Sequence, residues 1–201
     1  MLSHDSIVIG AREISALHRF KPAEERIVLY LPLSHIAGMM FDIYYPIANA
    51  STLCFADSNA LKGTLVENLK YYKPTRFLGV PRVWEKMEEK IKIAGKDTKG
   101  LKRKLADWAK SEALQYRQQC DNGIDKQSLG YKLAKKLVLS KVHQALGLEC
   151  VDQMCCSTGG AAISKETHLF FLNLGKDCNI IYPLKYVLYN RHPTDGGVWC
   201  H

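Results

Sequence analysis

IVLYLPLSHIAGMM, residues 27–40, is the stretch whose reading decides the fold. Its first five residues, Ile27 to Leu31, are β-branched, aromatic or aliphatic, the composition of a strand buried on both faces. Pro32 closes that strand because it offers no N–H to a ladder. From His35 onward the small and apolar residues Ile36, Ala37, Gly38 and Met39 open a helix. The strand therefore delivers Ser34 and His35 to the loop at its carboxyl end, where open α/β sheets hold their ligands. Two plainer roles stand beside that one: Ser34 as the helix cap, and His35 as a structural histidine of the first turn.

Outward from there the pattern repeats. Residues 3–17 read as a helix, with Ser3 at its cap, Asp5 in the first turn, and Ile7, Val8, Ala11, Ile14 and Ala16 as its apolar face. The helix after His35 is expected to run to about Tyr45, where Pro46 halts it. Residues 51–55 (STLCF) read as a second buried strand, 61–72 as an amphipathic helix, and 75–80 as a third strand closed by Pro81. Strand–helix–strand–helix–strand at this spacing argues for parallel pairing with right-handed crossovers.

Pro81 then opens a long helical region in which Val83, Trp84, Met87 and Ile91 recur at helical spacing. Gly95 and Gly100 divide it into shorter helices. After a polar turn at 120–128, Leu133, Leu137, Val138, Val142 and Leu146 resume the period, and Gly147 stops it. Residues 151–156 are a fourth strand candidate, and 157–162 (STGGAA) follow as a loop. A helix over 164–174 comes next, with Ser164 as its cap and Thr167 at its third position. Beyond Gly175 a short apolar run, Ile180 to Tyr182, is followed by no sustained period, so 175–201 read as a divergent tail.

Composition narrows the class. A hydrophobic fraction of 47% excludes a disordered tail as the overall description. The formal charge of +8 points to phosphates, whether on a nucleotide, a nucleic acid or an anionic membrane. Seven cysteines without regular spacing favour neither a disulfide framework nor a zinc site, and reduced thiols in a cytosolic setting are expected. The first residues show no signal-peptide pattern, and no apolar run reaches the roughly 20 residues that span a bilayer.

Adjacent glycines in the 157–162 turn let a backbone approach a flat or phosphate ligand closely, although such a pair also occurs as a plain turn. Neither GxGxxG nor GxxxxGK[ST] is present. The lysine-rich segment 86–110 is interleaved with Glu85, Glu88 and Glu89, as on a solvated helix laced with ion pairs; a membrane surface or nucleic acid is the alternative. Ser34, His35 and Asp42 lack a nucleophile elbow and are not read as a hydrolase triad. Cys155 and Cys156 read as core thiols.

Four separated stretches, LPLSHIAGMMFDIY, ADSNALKGTLVENLKYYKPTRFLGVPRVWEKM, STGGAA and HLFFLNL, occur in an order that resembles the adenylate-forming superfamily. The nearest likeness is to long-chain acyl-CoA synthetases of the bubblegum type, over roughly residues 1–174. The resemblance implies an α/β fold: a mostly parallel sheet flanked by helices, part of the large N-terminal AMP-binding domain, with a helical insertion at about 83–146. It also implies ligation in two steps, in which a fatty acid and ATP form an acyl-adenylate with Mg²⁺ neutralising the phosphates, and coenzyme A then displaces AMP. By motif, His35 would be the active-site histidine beside acid and α-phosphate, Met39 the gate of the acyl tunnel, and Gly159, Gly160 and Ala161 the adenine-lining loop. Pro81 to Trp84 would pack near the acyl channel, and no metal ligand is assigned.

The resemblance also implies that the family's phosphate loop would precede Met1 and that its Tyr-Gly-x-(Ser/Thr)-Glu segment and C-terminal domain lie outside the matched stretches. The chain is thus expected to be an internal piece, inactive alone as a ligase. A non-catalytic acyl- or partner-binding module is the alternative, and a basic nucleic-acid binder a weaker one, with no nucleic acid expected. A cytoplasmic setting follows, with peripheral contact to the endoplasmic reticulum or another membrane left open.

Overall fold

The computed structural model describes residues 3–17, 20–96, 98–122, 126–151, 155–176 and 178–180. It begins with helix α1, His4–Leu17, whose first turn is capped as the sequence implies: the Ser6 N–H donates to Ser3 Oγ at 3.1 Å. Strand β1 is Arg26–Leu29, buried along its apolar residues. Strand β2 is Thr52–Phe55, and it pairs parallel with β1 from Arg26–Thr52 to Leu29–Phe55. Helix α3 (Leu65–Tyr72) leads to strand β3 (Phe77–Gly79). Strand β4 (Cys156–Thr158) pairs parallel with β3, and strand β5 (Cys178–Ile180) pairs parallel with β4.

The two ladders meet at a parallel bridge between Ile27 and Arg76. Laid side by side, the strands run β2-β1-β3-β4-β5. That is a doubly wound order whose direction of winding reverses between β1 and β3, the place where such sheets leave a crevice at their carboxyl ends. The all-parallel pairing expected from the alternating pattern is found, and so is the helical insertion between β3 and β4. The insertion comprises α4 (Pro81–Gly95), α5 (Leu101–Asp121) and α6, a helical run over 129–146 whose middle, Lys135–Leu139, is a π turn.

Trp84 of α4 is the centre of the larger core. It is fully buried, donates its indole N–H to Gly79 O at 3.0 Å, and meets Phe77 and Phe171 edge-on. Aromatic pairs of that geometry add to the stabilisation from buried area alone. Gly79 is glycine for a spatial reason, since a Cβ there would lie 2.6 Å from Trp84 Nε1. Helix α7, Lys165–Leu172, closes the arrangement with Ser164 accepting from the Thr167 N–H at 3.1 Å, the cap read from the sequence.

Four expectations are corrected. Helix α2 does not stop at Pro46: it runs over 36–48 as Ile36–Met39, a π turn Met40–Tyr44, and Tyr45–Ala48. A proline ring normally clashes with the carbonyl four residues back, and the wider π turn just before Pro46 relieves that clash. Strand β2 is not buried on both faces, because it lies at the sheet edge and leaves Phe55 67% exposed. Ser157 and Thr158 are not loop residues but buried members of β4. The apolar face of α1 is narrower than expected, with Ala11 buried and Val8 and Ala16 exposed.

The amino edge of the sheet is tied shut. Glu25 and Arg76, each just before a strand, form a buried ion pair at 2.9 Å. Burial pushes the Glu25 carboxyl up, but hydrogen bonds from Thr75 and the Lys21 N–H, together with the Arg76 charge, outweigh it and hold its pKa below the usual value.

Candidate functional site

Three loops leave the carboxyl edge on one row. Ile27 lies level with Arg76, so three residues on Tyr30 lies level with Gly79, which itself pairs with Thr158. Leu31, Val80 and Gly159 therefore emerge side by side from β1, β3 and β4. With strands about 4.8 Å apart, the root of the His35 loop lies about 10 Å from the root of the glycine turn. Tyr30 binds this edge together: its hydroxyl donates to Leu78 O at 2.7 Å and its ring stacks on Phe77.

His35, and not Ser34, is the cap of α2. Its Nδ1 accepts the Ala37 N–H at 3.1 Å, while its own N–H donates to Pro32 O at 3.0 Å. A neutral imidazole that accepts at Nδ1 carries its proton on Nε2. The side chain is exposed, so the cap fixes both ring orientation and tautomer and leaves Nε2–H as the ring's donor. Met39 sits one turn further on and is half-buried. Gly38, between them, allows the helix to lie against the strand's exit, since a Cβ there would stand 2.6 Å from Pro32 O.

Gly159 is half-buried, and Gly160 and Ala161 are exposed. Gly160 has φ +86°, with open space where a Cβ would point. Its glycine serves the backbone conformation and leaves the peptide edge uncovered.

Asp42 is the residue that motif reasoning passed over. It lies in the π turn, 2% exposed, and accepts the Leu31 N–H at the end of β1. Its Oδ2 has no hydrogen-bond partner among the described residues, and burial raises its pKa to about 7 despite the Leu31 contact. A small cavity beside it is lined by Phe41, Arg76, Phe77, Leu78 and Ser157 among others. His35, Met39, Gly159, Gly160 and Ala161 do not line that cavity. Asp42 is buried while His35 is exposed with its Nδ1 engaged by Ala37. The only sequence signal for Asp42 was an acid inside an apolar helical stretch. Among the described residues no group of three or more His, Cys, Asp or Glu could hold a metal ion.

The profile of the AMP-binding enzyme family matches residues 1–183. The chain belongs to the AMP-binding enzyme family. Its curated relatives include the long-chain-fatty-acid–CoA ligase ACSBG2 of Gallus gallus, 45% identical over 177 residues, which are 87% of this chain and 23% of the relative. ACSBG2 of Xenopus laevis is 44% identical over 199 residues, 98% of this chain and 26% of the relative. The ligase ACSBG1 of Homo sapiens is 42% identical over 178 residues, 87% of this chain and 24% of the relative. The bubblegum-type resemblance read from the four motifs is thereby borne out. The chain spans about a quarter of the length of these relatives.

Two solved structures share the fold of this AMP-binding chain. The A-PCP didomain of the carboxylic acid reductase from Segniliparus rugosus, in complex with AMP, aligns with a TM-score of 0.53 at 17% identity, covering 90% of this chain and 20% of that one. The A domain of the same reductase, in complex with AMP and a co-purified carboxylic acid, aligns at 0.50 and 16%, covering 90% and 24%. Both support the α/β fold, of which this chain is a part.

Proposed function

We propose that this chain is the acid- and adenine-facing part of a long-chain fatty acid–CoA ligase. The whole enzyme would join a fatty acid to coenzyme A at the expense of ATP. A carboxylate oxygen attacks the α-phosphorus, and the bond from that phosphorus to pyrophosphate breaks. The thiol of coenzyme A then attacks the acyl carbonyl, the bond to AMP breaks, and the thiol proton leaves to solvent. Carboxylate and triphosphate are both anions, so the first step depends on donors placed where their charges meet.

One observation carries the reading: the loops holding His35 and Gly159–Gly160 leave β1 and β4, on either side of β3, on one row at the carboxyl edge beside the switch point. In this reading the outward Nε2–H of His35 donates to an oxygen of the acid or the α-phosphate. Met39, one turn on, faces the acyl chain. The exposed peptide edge at Gly159, Gly160 and Ala161 receives the flat adenine, where a larger side chain would keep it away. Mg²⁺ would neutralise phosphate charge when it arrives with ATP, and no described residue is assigned to it.

Hydrogen exchange on the purified chain with a non-hydrolysable acyl-adenylate analogue tests the reading. Protection concentrated at 31–39 and 159–162 is expected, and His35→Ala and Gly160→Val should each weaken it. Protection by the fatty acid alone, with no contribution from the adenosine part, would favour the non-catalytic acyl-binding module instead. Protection confined to other segments would overturn the reading.

A further inference from the structure

The helical insertion carries two basic regions that differ in kind. On α4 and α5 the basic residues are interleaved with acids, and Arg82 meets Glu85, Lys92 meets Glu88 and Glu166, and Arg103 and Lys110 meet Asp107. That surface is partly neutralised, as a solvated helix is. From Lys126 to Leu148, by contrast, the sequence holds Lys126, Lys132, Lys135, Lys136 and Lys141 and no Asp or Glu. All five of these lysines are exposed. Glu112 of α5 lies against the first turn of α6, where Ser128 Oγ donates to it at 3.3 Å.

Helix α6 also breaks the rule that an apolar face turns inward. Tyr131, Ala134, Leu139, His143 and Leu146 already form its buried side. On the opposite side Leu129, Leu133 and Leu137 are 85%, 51% and 42% exposed, spaced four residues apart. Lys132 and Lys136 fall between them. A solvated helix has no use for three such leucines, and a nucleic acid would engage the lysines without them. Exposed leucines flanked by lysines, in a stretch of sequence without acids, match the boundary between anionic headgroups and acyl chains.

We propose that this face of α6, with Leu129, Leu133 and Leu137 framed by Lys132 and Lys136, docks on an anionic lipid bilayer. The helix lies in the plane of the surface, its leucines enter the headgroup–acyl boundary, and the lysines meet lipid phosphates and carboxylates. The proposal is independent of the chemistry at the carboxyl edge, and it places any lipid contact on α6 rather than on the 86–110 segment.

The test is co-sedimentation of the purified chain with phosphatidylcholine vesicles and with vesicles in which about one third of the lipid is phosphatidylserine. The chain should pellet with the anionic vesicles and stay in solution with the neutral ones. Lys132→Gln with Lys136→Gln should weaken binding about 25-fold, at about fivefold per lysine near a charged surface. The matched pair Lys86→Gln with Lys90→Gln on α4 should leave it within about twofold, because those charges lie off the docking face. Leu133→Glu should weaken binding at least about tenfold with an unchanged circular dichroism spectrum, since the leucine is exposed in the folded chain. Wild-type binding by the Leu133→Glu variant would overturn the proposal, as would equal loss from the two lysine pairs. So would a leucine face that holds two copies together, seen as a dimer that Leu133→Glu dissolves while vesicle binding persists.

Discussion

The two ends of this sheet handle buried carboxylates in opposite ways. At the amino edge Glu25 is met by Arg76, Thr75 and the Lys21 N–H, and is held ionised. At the carboxyl edge Asp42 has one backbone donor, an Oδ2 with no hydrogen-bond partner among the described residues, and a pKa near 7. Both side chains are buried, and the hydrogen bonds and charge that reach Glu25 outweigh its desolvation, whereas the single backbone donor at Asp42 does not. The amino edge is built to hold, whereas at the carboxyl edge a buried carboxylate oxygen is without a partner among the described residues.

The comparison breaks most sharply if the ion pair is severed. Glu25→Ala removes the carboxylate from a buried guanidinium and should cost about 3–5 kcal/mol in denaturant unfolding. A loss under about 1 kcal/mol would mean that water reaches the amino edge.

Asp42→Asn sharpens the other side. The native pKa lies above the unfolded value, so between about pH 4 and 7 the folded state binds the extra proton and Asp42 costs stability as pH rises. At pH 8 the variant should be more stable than wild type by as much as about 4 kcal/mol, with the gap closing towards pH 4. Glu25 acts with the opposite sign, contributing stability above its unfolded value that is lost as pH falls through its lowered folded pKa. His143 is buried, with Nε2 2.8 Å from Leu174 O, and burial followed by the Lys176 charge holds its pKa at about 4. It loses stability as pH falls from 6.5 towards 4, and the difference between wild type and Asp42→Asn cancels that contribution. A difference independent of pH would show that Asp42 does not titrate in this window.

Gly38→Ala should cost about 1–3 kcal/mol, because the new methyl meets Pro32 O and must push α2 off the strand exit. Its melting temperature is the readout, and an unchanged value would mean the loop shifts freely. The smallest effect is expected from Gly160→Ala, about 1 kcal/mol from the positive φ alone, since the space beside it is open. A thermal melt that falls much further would reveal a contact that this turn makes in solution.

Apolar runs closed by proline made β1 and β3 readable, and glycine marked the breaks at 95, 100 and 147. The cap on α2 was harder, because Ser34 and His35 both carry acceptors and the choice depends on where the chain turns after Pro32. The passage of α2 through Pro46 was illegible, since a π turn is stabilised by packing around Phe41 and Tyr45 and leaves no mark in local propensity. Ser157 and Thr158 were read as loop because they are polar, but their position between β3 and β5 buries them. His35, Met39 and the 159–161 turn were found through motif order, and Asp42 needed the third dimension.

The ladders β1–β2 and β3–β4–β5 share a backbone bridge at Ile27–Arg76, reinforced by Tyr30 and by the Arg26 guanidinium, which donates to Lys73 O at 2.9 Å. The seam is thus clamped at both ends, by Glu25–Arg76 at the amino edge and by the Tyr30 hydroxyl at the carboxyl edge, so the spacing of the strands sets how far apart the histidine loop and the glycine turn begin.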